Sequence, residues 1–328
     1  MCRTAGTVGG VMYNSLVLLG PTACGKTAVA VQLASLLNGE IISADSRQVY
    51  QGLDIGSGKD LNEFTLVEAD GSVKTVPYHL IDVVSLPEEY NVYSFQRDAY
   101  EAFSLIQIHN KLPVIVGGTG MYVDALIRGY DLVQVPTNHQ LRQELAGKSM
   151  EELTEILKSL RNGVLHNHTD TEERHRLLRA IEIALYSQEK GKNPQKENMN
   201  RPHISPVIFG TTFSREELRK RIKLRLRSRL KEGMIEEVQS IHDKGISWEQ
   251  LERLGLEYRF ISLFLQNKIA TEQELFNQLF IAIGQFAKRQ ETWFRGMERK
   301  GVRIHWLTPG TKEQRVEEAL RCIKTLDL

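Results

Sequence analysis

Residues 20–27 read GPTACGKT, the spacing G-x-x-x-x-G-K-S/T, and this stretch carries the first chemistry visible in the chain. Gly20 and Gly25 allow the backbone to wrap a phosphate with its N–H groups, and Pro21, Thr22, Ala23 and Cys24 make up the wrapping turn. Lys26 adds a mobile cation, and Thr27 a hydroxyl suited to magnesium. The loop belongs to the class that binds ATP, other nucleotides or pyrophosphate, and by itself does not say which phosphate it holds.

Three other sets of residues could join it. Asp45 and Ser46 close the apolar run EIISAD at 40–45, which puts a carboxylate either at a ligand or on a turn as a cap. Thr119, in the glycine turn at 117–120, can hydrogen-bond an anion or cap the helix that follows. Arg215–Lys231 contains nine lysines and arginines against two acids, with Arg221, Arg225 and Arg229 on one stripe. That charge implies a pyrophosphate or polyanion ligand, with a solvated basic face as the alternative. Gly56, Gly58 and Lys59 look like a flexible, anion-facing loop.

The elements that position these groups follow from periodicity. Residues 15–19 are an apolar run of strand length, and 28–37 continue as a helix ending before Gly39. Further apolar segments occupy 78–84, 112–116 and 205–210, and helices are expected over 93–109 and 121–128. Strands alternating with helices predict an α/β fold: a P-loop NTPase-like parallel sheet flanked by helices. The strand at 112–116 ends in glycines and not on the carboxylate that nucleotide hydrolases place on magnesium, and Asp82 follows only a short run. ATPase motors and GTPases are therefore disfavoured, whereas a small-molecule or nucleotide kinase stays open.

Between residues 131 and 200 the pattern changes to charged helices over 140–146, 150–160 and 171–186, followed by a polar linker. This is expected to be a small all-helical insertion within a core made of 15–130 and 201–328, behind a flexible tail at 1–14. His166 and His168 read as solvated turn residues. Arg174, Arg176 and Arg179 form a solvated face or a phosphate-contacting edge. In the basic helix Leu218, Ile222, Leu226 and Leu230 should be buried. In the long helix over 271–301 the buried stripe should be Leu275, Leu279, Ile283 and Phe286, with Lys288, Arg289 and Arg295 left basic and Trp293 in the core. An alternating strand at 302–307 and a helix at 311–325 close the chain.

With 328 residues, 41% hydrophobic and 25% charged, the chain can bury a large core. The net charge of +1 argues against coating nucleic acid with the whole surface, but not against a local basic face. No run approaches the length of a membrane span, and residues 1–14 lack the apolar stretch of a signal peptide. The three cysteines, Cys2, Cys24 and Cys322, are widely spaced, which points to a reducing cytoplasm without disulfides or a zinc site.

Taken in order, GPTACGKT at 20–27, ADSRQVYQGLDIGSGK at 44–59, PYHLID at 77–82, PVIVGGTGMY at 113–122, RLLRAIE at 176–182, LRKRIKLRLRSRLKEGMIEEV at 218–238 and AKRQETWFRG at 287–296 resemble the tRNA dimethylallyltransferases, bacterial type. The resemblance covers nearly the whole chain. It implies transfer of a dimethylallyl group from dimethylallyl diphosphate to N6 of adenosine 37, beside the tRNA anticodon, with the P-loop on the diphosphate. It makes Asp45 the base, places Lys26, Arg225 and Thr119 at the reaction centre, and puts Mg2+ on Thr27. It implies that Ser46, Arg47 and Gln48 hold the flipped base. Arg142, His175, Arg176, Leu177, Leu178, Arg179, Lys288, Arg289, Gln290 and Arg295 would contact the anticodon stem-loop. A monomer that does not enter the membrane is expected. Three departures, GLEY at 255–258, Ile283–Gly284 and Glu172–Glu173, bear on the anticodon loop more than on the chemistry.

Overall fold

The structure is a computed structural model that describes residues 7–8, 11–67, 70–161, 163, 173–189 and 201–326. The expectations for Cys2, His166, His168, Glu172 and the linker at 190–200 lie outside these residues.

A short hairpin of β1 (Thr7–Val8) and β2 (Val11–Met12) precedes β3 (Ser15–Leu19), α1 (Lys26–Leu36) and β4 (Gly39–Ser43). A 3-10 turn (Leu61–Phe64), the hairpin β5 (Thr65–Val67) and β6 (Val73–Thr75), β7 (Tyr78–His79), α2 (Val92–Ile108), β8 (Leu112–Gly117) and α3 (Gly120–Arg128) follow. Then come α4 (His139–Glu144), α5 (Met150–Leu160) and α6 (Arg174–Glu189). The remainder is β9 (Pro206–Gly210), α7 (Arg215–Lys231), α8 (Met234–Asp243), α9 (Trp248–Arg253), α10 (Leu256–Leu265), α11 (Glu272–Arg299), β10 (His305–Trp306) and α12 (Lys312–Thr325). Residues 1–130 with 200–328 form one compact unit and 131–199 another.

The six-stranded sheet of the larger unit has the order β10-β9-β3-β8-β4-β7, and every pair in it is parallel. Strands covered on both faces must be apolar at every position, which explains the continuous run in β3. Leu16 and Leu18 join the core beneath α1 and α12. Val17 and Leu19 alternate to the other face, where α2 and α3 pack, and are also fully buried. Because all strands point the same way, the turns after β3, β4, β8 and β9 converge on one edge.

A second core forms where the apolar stripe of α7 (Leu218, Ile222, Leu226) meets Leu275, Leu279 and Ile283 of α11 and also Cys24, Val49 and Leu53. This packing carries the basic helix to the P-loop edge. Two stripe expectations are corrected. Spacing of four from Ile283 reaches Ala287, which is buried, while Phe286 is 38% exposed. In α7 the inward position after Leu226 is Arg229. The segments at 78–84 and 302–307 pair as strands only over Tyr78–His79 and His305–Trp306.

In the smaller unit a Ser149 capping box starts α5, and Leu153 and Leu157 pack on Leu177 and Ile181 of α6.

Candidate active site

The P-loop leaves β3 as a backbone under constraint. Gly25, at φ 73°, is the N-cap of α1 and gives it no side-chain cap, and Ala23 stands at φ 61°, a conformation that costs a residue with a Cβ. Elements from the other end of the chain hold this shape. Thr22 N–H donates to Gln290 Oε1 at 2.9 Å, Arg315 Nη1 donates to the Cys24 carbonyl at 2.7 Å, and Cys24 Sγ lies 2.9 Å from Thr211 Oγ1. Gly20 permits the last approach, since a Cβ there would lie 2.3 Å from the Thr211 carbonyl oxygen. The Thr22 amide is thus engaged by the protein. The expectation that it helps cradle a diphosphate is corrected in favour of the amides that follow it.

Asp45 leaves the C-terminal edge of β4. Its Oδ1 accepts the Arg47 N–H at 2.9 Å and the Gln48 N–H at 3.4 Å, so one oxygen shapes the turn while among the described residues no bond engages Oδ2. Thr119 is not a side-chain cap: its Oγ1 accepts the Ser46 N–H at 3.1 Å, stitching the β4 turn to the β8 turn. Gln48 is braced between Ser43 Oγ, at 3.1 Å, and the Gly58 carbonyl, at 3.1 Å.

The 54–59 loop is held firmly, which corrects its reading as a flexible anion-facing segment. Glu237 of α8 accepts the N–H groups of Asp54, Ile55 and Gly56 at 3.2, 2.6 and 3.1 Å, and the Tyr258 hydroxyl donates to it at 2.9 Å. Lys59 is buried and pairs with Asp54 at 2.6 Å and with Asp82. Gly58 stands at φ 73°, a conformation that favours glycine, and a Cβ there would displace the Arg225 and Arg229 guanidinium groups, whose Nη2 atoms lie 2.1 and 2.3 Å from its place.

Arg225 lines a cleft with Thr22, Ala23, Ile283 and Glu257, and its buried Nε has no hydrogen-bond partner among the described residues. Such a group is costly unless a ligand satisfies it. Arg229 is buried beside it and reaches Asp60 at 3.3 Å. Burial and the Arg225 charge bring its guanidinium down to about 10, against the pull of Asp60. Arg221 leaves this pair, bonding Glu217 at 2.8 Å and covering the Phe213 ring. Burial raises the carboxyls of Glu63 and Glu257. Asp60 adds to the first and Asp45 to the second, while Arg225 and Arg229 act on both in the opposite sense, joined at Glu63 by Lys26. Two of the three departures, Glu257 and Ile283, line one cleft with Arg225.

No cluster of three acidic, histidine or cysteine ligands occurs among the described residues. Thr27, whose hydroxyl has no partner among them, suits a magnesium ion that arrives with phosphate oxygens and keeps its waters.

The other candidates divide. Lys288, Arg289 and Arg295 are exposed on α11, but Gln290 is buried and bonded at both ends, donating from Nε2 to the Gly118 carbonyl at 2.9 Å. Trp293 is not core: it is 39% exposed and lies against Gly120. In the smaller unit Leu177 is fully buried and Leu178 half-buried. Arg142 and Arg179 bond the buried Glu182 at 2.7 and 2.9 Å, and Arg179 also donates to the Val135 carbonyl at 2.6 Å, so Arg179 is neither an open solvated face nor a free phosphate edge. His175 and Arg176 are exposed. Arg174 donates to the carbonyls of Leu145, Ala146 and Lys148.

A model of the IPP transferase family matches residues 48–297, and one of isopentenyl transferases matches 13–67. The chain is 54% identical to tRNA dimethylallyltransferase 2 of Treponema denticola over 90% of its own length and 96% of that protein's. It is 47% identical to tRNA dimethylallyltransferase 1 of Syntrophus aciditrophicus over 95% and 98%. Among solved structures, the tRNA isopentenylpyrophosphate transferase of Bacillus halodurans superposes with a TM-score of 0.64 at 29% identity, covering 95% of this chain and 96% of that one. A eukaryotic dimethylallyltransferase acting on tRNA shares the fold, with a TM-score of 0.71 at 22% identity over 95% and 78%. The chain belongs to the IPP transferase family.

Proposed function

We propose that this protein transfers a dimethylallyl group from dimethylallyl diphosphate to N6 of adenosine 37 in tRNA, releasing diphosphate. The observation that carries the assignment to these residues is the half-buried Arg225, with its unpartnered Nε, in one cleft with Thr22 and Ala23 of the P-loop. A guanidinium in that position suits the two oxygens of a departing diphosphate.

In the reaction the N6 amine attacks the allylic carbon, the N–C bond forms, and the C–O bond to diphosphate breaks. Asp45, held by Oδ1 in its own turn, accepts the amine proton on Oδ2. Thr119 and Ser46 fix that turn, so the carboxylate need not reorganise as charge develops. Lys26, Arg225 and the amides of Ala23–Thr27 take up charge growing on the leaving group. Thr27 would hold magnesium, which would screen the same charge. The target base must leave its stack to reach Asp45, and Arg47, which packs beside Gly255, would contact it together with Ser46 and Gln48. The exposed Lys288, Arg289 and Arg295 of α11 and Arg176 of the helical insertion supply phosphate contacts to the anticodon stem-loop. Among the described residues no helix is long and apolar enough to cross a membrane, and a cytoplasmic monomer is the state we assign.

Incubation with unmodified tRNA, dimethylallyl diphosphate and magnesium, followed by mass spectrometry of the nucleosides, should yield N6-dimethylallyladenosine. Binding of tRNA without modification, or turnover of ATP in its place, would reject the reading.

A further inference from the structure

At the opposite end of the sheet from the P-loop, where β9 and β10 begin, a cleft of about 450 Å3 opens. Its apolar wall includes Tyr13, Ile127 and Val302, and its rim carries Lys300, Arg303 and His305. The size falls within the roughly 300–1,000 Å3 typical of small-molecule sites. No aspartate or glutamate lines it. Carboxylates on the neighbouring elements are occupied: Asp124 by Arg128 at 2.8 Å and Tyr130 at 2.6 Å, Glu298 by the Trp306 ring N–H at 2.9 Å, and Glu318 by Thr308 at 2.9 Å. Lys300 and Arg303 have no ion-pair partner among the described residues.

The C-terminal ends of α3 and α11 meet here, and helix ends attract cations. That accounts for Arg128, which donates to the Lys300 carbonyl at 3.2 Å. It does not account for Arg303 and His305, which lie beyond the helix. Burial and the Arg303 charge hold the His305 imidazole below its ordinary range, which favours its neutral form, so the positive charge of the rim is that of Lys300 and Arg303.

We propose that this cleft is a second anion site, separate from the P-loop, that takes a small organic phosphate. Lys300 and Arg303 pair with the phosphate, and the aromatic or apolar body lies against Tyr13 and Val302. An inorganic ion would leave most of the volume unfilled.

The test uses the full chain with the P-loop silenced by Lys26→Ala, titrated calorimetrically at low salt with AMP and with inorganic phosphate. One AMP should still bind, more tightly than phosphate. Adding Arg303→Glu and Lys300→Glu should weaken it about 10-fold or more, as loss of charge-assisted bonds requires. Arg303→Gln, with an unchanged melting temperature, should show the same trend and guards against misfolding. Absence of AMP binding in the Lys26→Ala protein, or binding indifferent to the rim substitutions, overturns the proposal. So does a result in which those substitutions weaken only tRNA, which would make the cleft an RNA contact.

Discussion

Gln290 and Thr22 meet side chain to backbone: the Gln290 oxygen accepts the Thr22 amide at 2.9 Å while its nitrogen donates to the Gly118 carbonyl. One buried amide in α11 thereby sets the separation of the two glycine turns at the reaction edge. The same helix presents Lys288, Arg289 and Arg295 to solvent.

Replacing Gln290 by Met keeps the volume and removes both bonds. The Michaelis constant for dimethylallyl diphosphate should rise roughly 5- to 30-fold, the scale of one or two buried hydrogen bonds. The tRNA dissociation constant should stay within about twofold. Steady-state kinetics alongside filter binding decide it, and a loss confined to tRNA affinity would return Gln290 to the RNA surface.

Asp45→Asn retains an oxygen to accept the Arg47 amide, so the turn survives while the base is lost. Turnover should fall roughly 100-fold or more with tRNA affinity nearly intact. Near-normal single-turnover rates would leave Asp45 as a turn cap only.

Arg225→Ala should lower turnover and raise the Michaelis constant for dimethylallyl diphosphate, with Arg225→Lys recovering part of the loss, because a point charge cannot fork across two oxygens. If tRNA binding collapses while the diphosphate constant holds, α7 is an RNA face.

Arg176 and Arg179 should behave differently although they are three residues apart. Arg176 is exposed, and its alanine variant should reduce the salt slope of tRNA binding by up to about one unit. Arg179→Ala should instead destabilise the helical insertion by about 1–3 kcal/mol, because Glu182 loses a partner. Thermal melts and salt titrations of both variants separate the two roles.

Acid should find the same network. Burial would raise Glu182, yet Arg142 and Arg179 hold it below the usual carboxylate range. A carboxyl depressed in the folded state contributes stability above its unfolded pKa and loses it as pH falls through the folded one. Circular dichroism below about pH 4.5 should show helix melting that Glu182→Gln, already lacking the charge, no longer displays with the same steepness. Identical acid profiles would remove Glu182 from the acid response.

Motifs set by local backbone demands were legible from the chain alone. The P-loop needs its glycines within eight residues, and α7 announces its buried stripe by spacing. What was hidden depends on partners distant in sequence. Nothing near Gln290 signals that Thr22 awaits it, and Arg315 reads as an ordinary helix arginine until α12 packs beside Cys24. Nothing in the sequence around Glu237 marks it as the carboxylate that gathers three loop amides. The arginine stripe of α7 was visible as charge. Its division among Glu217, Asp60 and the P-loop cleft required the fold.

The strand order has a consequence for synthesis. β3 lies between β8 and β9, and β9 begins only at Pro206, beyond the helical insertion. On the ribosome, the apolar strand Ser15–Leu19 must therefore wait with one edge bare while the insertion, built from local contacts, folds ahead of it. Thr211, Gln290 and Arg315, which clamp the P-loop, emerge later still. Substrate affinity is acquired at the end of translation, and a chain stalled within the insertion presents a sticky edge but no working phosphate site.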